Sequence, residues 1–205
     1  MKTKKIIPLL ALFILMLFLQ GSCKKETDRC PTYKLPPATQ TGANTFGCLV
    51  NDVVFVPRFG GLFAPKPIKF LYNEQTGELR FWIIFSANER DYQCGFPETD
   101  LDFSASEVFS TGKVEHGQYR AFVDYFPIQF DRGESYGYRN TLPNLNAKLE
   151  ITKLDTVENI ISGVFEFEAS QDFPVINPEK ILYVTEGRFD FRYNQDGSVV
   201  EGYSN

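Results

Sequence analysis

The chain has 205 residues, a formal charge of −5 and a sequence pI near 5.0, with 20 Phe and 10 Tyr against one Trp and one His. Nucleic acid is excluded as a partner, because phosphate binding needs clustered Lys and Arg, and one histidine leaves little room for imidazole catalysis. The aromatic excess points to a β-rich core, and no cofactor-binding motif is present.

The elements begin with an export signal. Lys2, Lys4 and Lys5 precede an apolar run over residues 6–19, and Gln20-Gly21-Ser22 leads into Cys23. As a helix the run rises about 21 Å at ~1.5 Å per residue, short of a ~30 Å hydrocarbon core, so it reads as a cleaved segment and not a span. Gln20 would occupy the −3 position of a cut after Ser22, where simple secretion wants a small residue. The stretch resembles the lipobox of bacterial lipoproteins, in which small residues precede a cysteine that receives a diacylglycerol; Gln20 stands where an aliphatic residue is usual. The resemblance implies a signal peptide over residues 1–22, lipidation of Cys23 and attachment to a membrane. Lys24-Lys25-Glu26-Thr27-Asp28 is similar to the charged export tags of Bacteroidota surface lipoproteins, which implies an outer-membrane protein, periplasmic or surface-exposed. Residues 24–45 are polar and punctuated by Pro and Gly. Residues 23–45 therefore read as lipidated cysteine and flexible tether, and 46–205 as a single all-β domain.

From Phe46 the chain turns to short β-type runs. Residues 46–50 and 53–56 flank Asn51-Asp52, a hairpin turn of residues that tolerate positive φ. Residues 68–72 and 78–87 flank a second turn ending in Gly77. Over 79–85 both alternating sets hold large apolar residues, which predicts a strand buried on both faces. Residues 88–97 read as loop, 100–109 as strand or irregular segment, 118–126 and 128–130 as strand about Pro127, and 131–146 as mostly turn and loop. Residues 147–154 and 160–169 form a third hairpin with Gly163 as a bulge, and 181–193 closes the domain with a break at Glu186-Gly187. No stretch of ten residues carries a helical period. The pattern predicts an antiparallel β-sandwich, with a β-barrel of calycin type as the alternative.

Residues 35–42 running into Thr45-Phe46-Gly47-Cys48-Leu49-Val50-Asn51, with Ile161-Ser162-Gly163-Val164-Phe165-Glu166-Phe167 and Val184-Thr185-Glu186-Gly187-Arg188-Phe189-Asp190, resemble an uncharacterised family of small Bacteroidota lipoproteins. The resemblance implies an all-β exported domain and supplies no functional residues. Asp52 stands where many relatives have glycine.

Four groups of residues are candidates for chemistry or contact. Lipidation of Cys23 leaves Cys30, Cys48 and Cys94; a Cys48–Cys94 bridge is one reading and a buried, free Cys48 the other. No Cys-x-x-Cys spacing points to zinc. Gly133-Glu134-Ser135-Tyr136-Gly137 matches Gly-x-Ser-x-Gly, the turn that presents a nucleophilic serine between strand and helix. No helical run follows it, and His116 precedes it, so a set of Ser135, His116 and Asp124 or Asp131 would need its own fold-specific arrangement; a Gly-rich surface loop is the plainer reading. Glu98, Asp100 and Asp102 alternate along one side of a strand, where they would take Ca²⁺, act as an acid/base pair, or simply face water. Tyr119, Tyr125, Tyr136 and Tyr138 gather about the central loops, to stack on a ligand or to fill the core. Three functions follow as expectations: a lipid-anchored, non-catalytic binding domain for a glycan, peptide or protein; a serine hydrolase using Ser135; and a structural envelope component.

Overall fold

Asn51 and Asp52 hold φ of 47° and 65°, the left-handed region a two-residue hairpin turn requires, and on either side of them β1 (Thr45–Val50) and β2 (Val53–Phe55) pair antiparallel. The structure, a computed structural model, describes residues 30–58, 66–85, 91, 94–96, 98–115, 118–126, 136–140, 142, 144–198 and 200–202. Two units separate along the chain, Met1–Cys30 and Pro31–Asn205. Only Cys30 of the first lies among the described residues, so the signal and Cys23 lie outside them.

The second hairpin joins β3 (Ile68–Asn73) to β4 (Glu78–Phe85) through Gly77 at φ 66°. Beyond it come β5 (Glu98–Ala105), β6 (Gly112–Val114), β7 (Tyr119–Phe126) and β8 (Tyr136–Arg139). The third expected hairpin is β9 (Ala147–Asp155) with β10 (Ile160–Phe173), and the ladder slips between Ser162 and Gly163, where a bulge was expected. Last are β11 (Asn177–Arg192) and β12 (Val200–Gly202). The expected break at Glu186-Gly187 is a bulge inside a continuous β11: Glu186 takes φ 52°, and the β1 register jumps from Gly47 opposite Arg188 to Leu49 opposite Thr185. Within 131–146, read from sequence as mostly turn and loop, β8 forms because β7 and β10 offer it an edge on each side.

The strands run in the order β12-β3-β4-β5-β7-β8-β10-β11-β1-β2, with β9 and β6 branching from β10. The path does not close, so the fold is an antiparallel sandwich and not a barrel. β10 makes the two layers possible. It pairs with β11 nearly throughout, but on its other edge residues 160–167 pair with β9 and residues 170–173 with β8. Rings from the two layers meet between them: Phe81 packs on Phe46, Phe165 and Phe189 with centroids 5.4, 5.9 and 5.6 Å apart, and Phe70 stacks on Phe191 at 4.4 Å. Two cross-strand pairs set a glycine under a ring. Gly163 faces Phe189, and Gly187 faces Phe165; a Cβ on Gly187 would come within 2.5 Å of the Phe165 ring.

The expected tether is corrected over residues 33–44, a strap that packs first on Phe85 and Phe96 and then against β1 and β11. Tyr33 sits edge-on to Phe85 and Phe96, donates to Asp91 Oδ1 at 2.6 Å and accepts from Arg58. Residues 39–43 then wrap the buried Asp190. Its Oδ2 accepts from Thr39 Oγ1 at 2.6 Å, from the Thr41 amide at 3.0 Å and from the Ala43 amide at 3.1 Å, while Oδ1 accepts from the Gly42 amide at 2.8 Å and Ser162 Oγ at 2.8 Å. Polar composition alone suggested a solvated linker. The hydroxyls and amides are instead spent on one carboxylate some 150 residues away in sequence.

Candidate binding face

In β4 the side chains of Leu79, Phe81, Ile83 and Phe85 enter the core, which turns Arg80 and Trp82 to the outside. The prediction of a strand buried on both faces is corrected: only one alternating set is apolar enough to be covered, and β4 has one open face. Trp82, the single tryptophan of the chain, is 36% exposed.

The antiparallel register carries a row of side chains through it. Glu201, Lys69, Trp82, Asp102, Phe122 and Arg139 stand opposite one another in turn across β12, β3, β4, β5, β7 and β8. At ~4.8 Å between strands, Trp82 and Phe122 lie about 10 Å apart with Asp102 between them. Cations flank both rings: Lys69 Nζ lies 4.6 Å from the centre of Trp82 and the Arg139 guanidinium 5.1 Å from that of Phe122. Arg80 grips Asp102 with both ends of its fork, donating from Nη2 at 2.8 Å and from Nε at 3.4 Å. Arg139 Nε is paired with Asp172 Oδ2 at 2.8 Å. An open groove of about 450 Å³ runs here, lined by Lys69, Leu71, Glu78, Arg80, Trp82 and Asp102.

Next to the row, Asp100 stands opposite Ile84 on one side and Asp124 on the other. Burial, and then the negative charges of Glu98 and Asp124, push the Asp100 carboxyl up to about 6. Burial also raises Asp124, against the pull of the Arg139 charge.

The residues singled out in the sequence fall in different places. Glu98, Asp100 and Asp102 do share the outer face of β5, half-buried, but Asp102 is taken by Arg80. Among the described residues no three His, Cys, Asp or Glu side chains are grouped to hold a metal ion. Tyr138 packs against the core, which corrects its reading as a ligand-facing ring. Tyr136 is half-buried with Lys180 Nζ 5.1 Å from its ring centre. Tyr119 and Tyr125 lie in β7, opposite Ala105 and Thr99, and their side chains are outside the description. Ser135, His116 and Asp131 lie outside the described residues. The segment that follows Ser135 is the strand β8, where a nucleophile elbow leads into a helix.

The Cys48–Cys94 bridge is corrected as well. Cys94 and Cys30 are disulfide-bonded, and Cys48 is a free thiol with no exposed surface. Strand alternation points Cys48 into the core, while Cys94 sits half-buried in a turn, its amide donating to the Asp91 carbonyl at 3.0 Å. Burial pushes the Cys48 thiol far above its usual range, with Arg188 opposing, so it packs as a small hydrophobe.

Trp82 was overlooked because its neighbours Phe81, Ile83 and Ile84 read with it as one apolar run. The available signal was Arg80, two residues before it on the same face. No family model, curated protein or solved structure matches the chain.

Proposed function

We propose that the chain is a lipid-anchored protein of the cell envelope, held at the outer membrane through Cys23, whose sandwich is a non-catalytic binding domain reading its ligand on the Trp82 face. The observation that carries this is the row of alternating rings and charges across the open layer. Aromatic plates about 10 Å apart, with a carboxylate between them and guanidinium groups beside them, suit a ligand with repeated apolar faces edged by hydroxyls. A glycan strand lying across the strands has that chemistry. The signal and lipobox pattern support the address. The strand that follows the Gly-x-Ser-x-Gly motif favours binding over hydrolysis.

The lone tryptophan is its own reporter. Titrating the protein with soluble neutral and uronate polysaccharides and with extended peptides should give a saturable change in Trp82 emission for a glycan. Calorimetry on Trp82→Ala should then show that binding lost, with stability altered by no more than about 1 kcal/mol because the ring is partly in water. Absence of any saturable response would favour a structural envelope component, and stoichiometric labelling of Ser135 by a fluorophosphonate would favour the hydrolase.

A further inference from the structure

The β10–β11 hairpin ends in a feature that neither the core nor the Trp82 face accounts for. At its turn four apolar residues stand outside the fold in succession: Phe173, Val175 and Ile176 are 55%, 68% and 74% exposed, and Pro174 is exposed between them. Single apolar side chains on a surface need no explanation, but a contiguous run at the turn of a hairpin marks a contact surface. The turn is also held in shape. Gln171, buried, donates from Nε2 to the Val175 carbonyl at 3.1 Å, and Asn177 Oδ1 accepts from the Glu179 amide at 3.1 Å. At its base Asp172 is neutralised by Arg139.

The direction of the hairpin selects the partner. The β1–β2 turn closes at the level of Tyr183, where Asn51 donates to the Tyr183 carbonyl and accepts from its amide, both at 2.9 Å. On the β1 side β11 continues about 20 Å beyond that level to Asn177, at ~3.3 Å per residue, while on the other side β8 accompanies β10 as far as Phe173, so the turn over residues 174–176 is what lies beyond the paired strands. The chain enters the sandwich at this same end, since Tyr33 packs on Phe85, the last residue of β4, before the strap runs away to Asp190 at the other. Between Cys23 and Cys30 the chain reaches at most about 25 Å, whatever its conformation. An anchor at Cys23 therefore holds the bilayer within a short tether of the point where the chain enters the sandwich, and the tip lies at that same end.

We propose that residues 173–176 dip into the interfacial layer of the membrane that carries the Cys23 anchor, as a second attachment that fixes the domain's orientation. The proposal rests on the lipid-anchor reading above and adds a protein contact to it. One attachment leaves a domain free to swivel, and a second apolar contact makes membrane binding both stronger and directional.

The test places an indole in the tip. The whole chain carrying Trp82→Phe and Val175→Trp is reconstituted in phosphatidylethanolamine/phosphatidylglycerol vesicles, with or without phosphatidylcholine brominated on its acyl chains. The expected result is a blue shift of emission on reconstitution and a loss of emission with brominated lipid, both reversed by adding Ile176→Asp; these residues are exposed, so folding is unaffected. Unshifted, unquenched emission overturns the proposal, as does cross-linking between two tips, which would assign the surface to a second copy of the chain. The anchor is read separately, as incorporation of a labelled fatty acid that Cys23→Ala abolishes. A chain that takes the fatty acid yet shows no quenching loses the tip and keeps the anchor. If no fatty acid is taken, the anchor reading fails, and the same quenching measured on unlipidated protein added to vesicles decides the tip by itself.

Discussion

Asp190 is 1% exposed, and a carboxylate so buried is sustained only by hydrogen bonding. Burial works to raise its pKa, but donation from Thr39, the Ala43 amide, Ser162 and the Gly42 amide outweighs it and leaves the carboxyl below its ordinary value. A lowered carboxylate stabilises the fold above its unfolded pKa and gives that up as pH falls through the folded one. Asp190→Ala should therefore cost about 3 kcal/mol or more at neutral pH in urea unfolding, because it strands several buried donors, and the difference from wild type should shrink in strong acid. Asp100 has the opposite sign. Its pKa is raised to about 6, so its contribution is favourable below the unfolded value near 4 and is lost as pH rises through 6. Asp100→Asn should match wild type at pH 4 and exceed it at pH 7, by about 1 kcal/mol once solvent screening is allowed for; equal stability at both pH values would contradict the assignment.

At the scale of elements, the reciprocal glycine and phenylalanine pairs between β10 and β11 bring the long strands close enough for the rings of Phe165 and Phe189 to cover backbone. Gly187→Ala should destabilise by about 1–3 kcal/mol through overpacking against Phe165, measured as a lower urea midpoint with unchanged slope. The hairpins were legible in the sequence because their cause is local: Asn51-Asp52 and Gly77 take up positive φ where the turn demands it. The strap was not legible, since what orders residues 39–43 is a carboxylate contributed by the last long strand. The outer ends of β10 and β11, beyond Ala169 and before Ile181, the limits read from sequence, adjoin Pro174 and Pro178, whose rings donate no ladder hydrogen bond. Pro174 lies in the turn itself and Pro178 at the start of β11, where a missing N–H is tolerated. For the candidate site, periodicity could reveal that Arg80 and Trp82 share a face. Only the register of strands distant in sequence could align them with Asp102, Phe122 and Arg139.

For the molecule as a whole, β10 belongs to both layers, so neither can open while the other stays intact. Unfolding followed by Trp82 emission, which reports the β3–β4–β5 layer, should coincide with unfolding followed by reaction of the Cys48 thiol with a disulfide reagent in a Cys23→Ala background, which reports the β1–β11 layer. Separate midpoints would mean that the layers melt independently. The strap gives this cooperativity a mechanical side. Tension on the N-terminus arrives first at Cys30, which is disulfide-bonded, so a covalent link takes the load before Tyr33 at one end of the sandwich, or Asp190 at the other, can feel it. Only with that disulfide reduced does a pull reach the segment from Tyr33 to Ala43, and because it runs along the strands its contacts with Asp91, Arg188 and Asp190 are then loaded together, in shear. A domain tugged by its leading end thus meets the force first through a covalent bond, and lengthwise only after reduction.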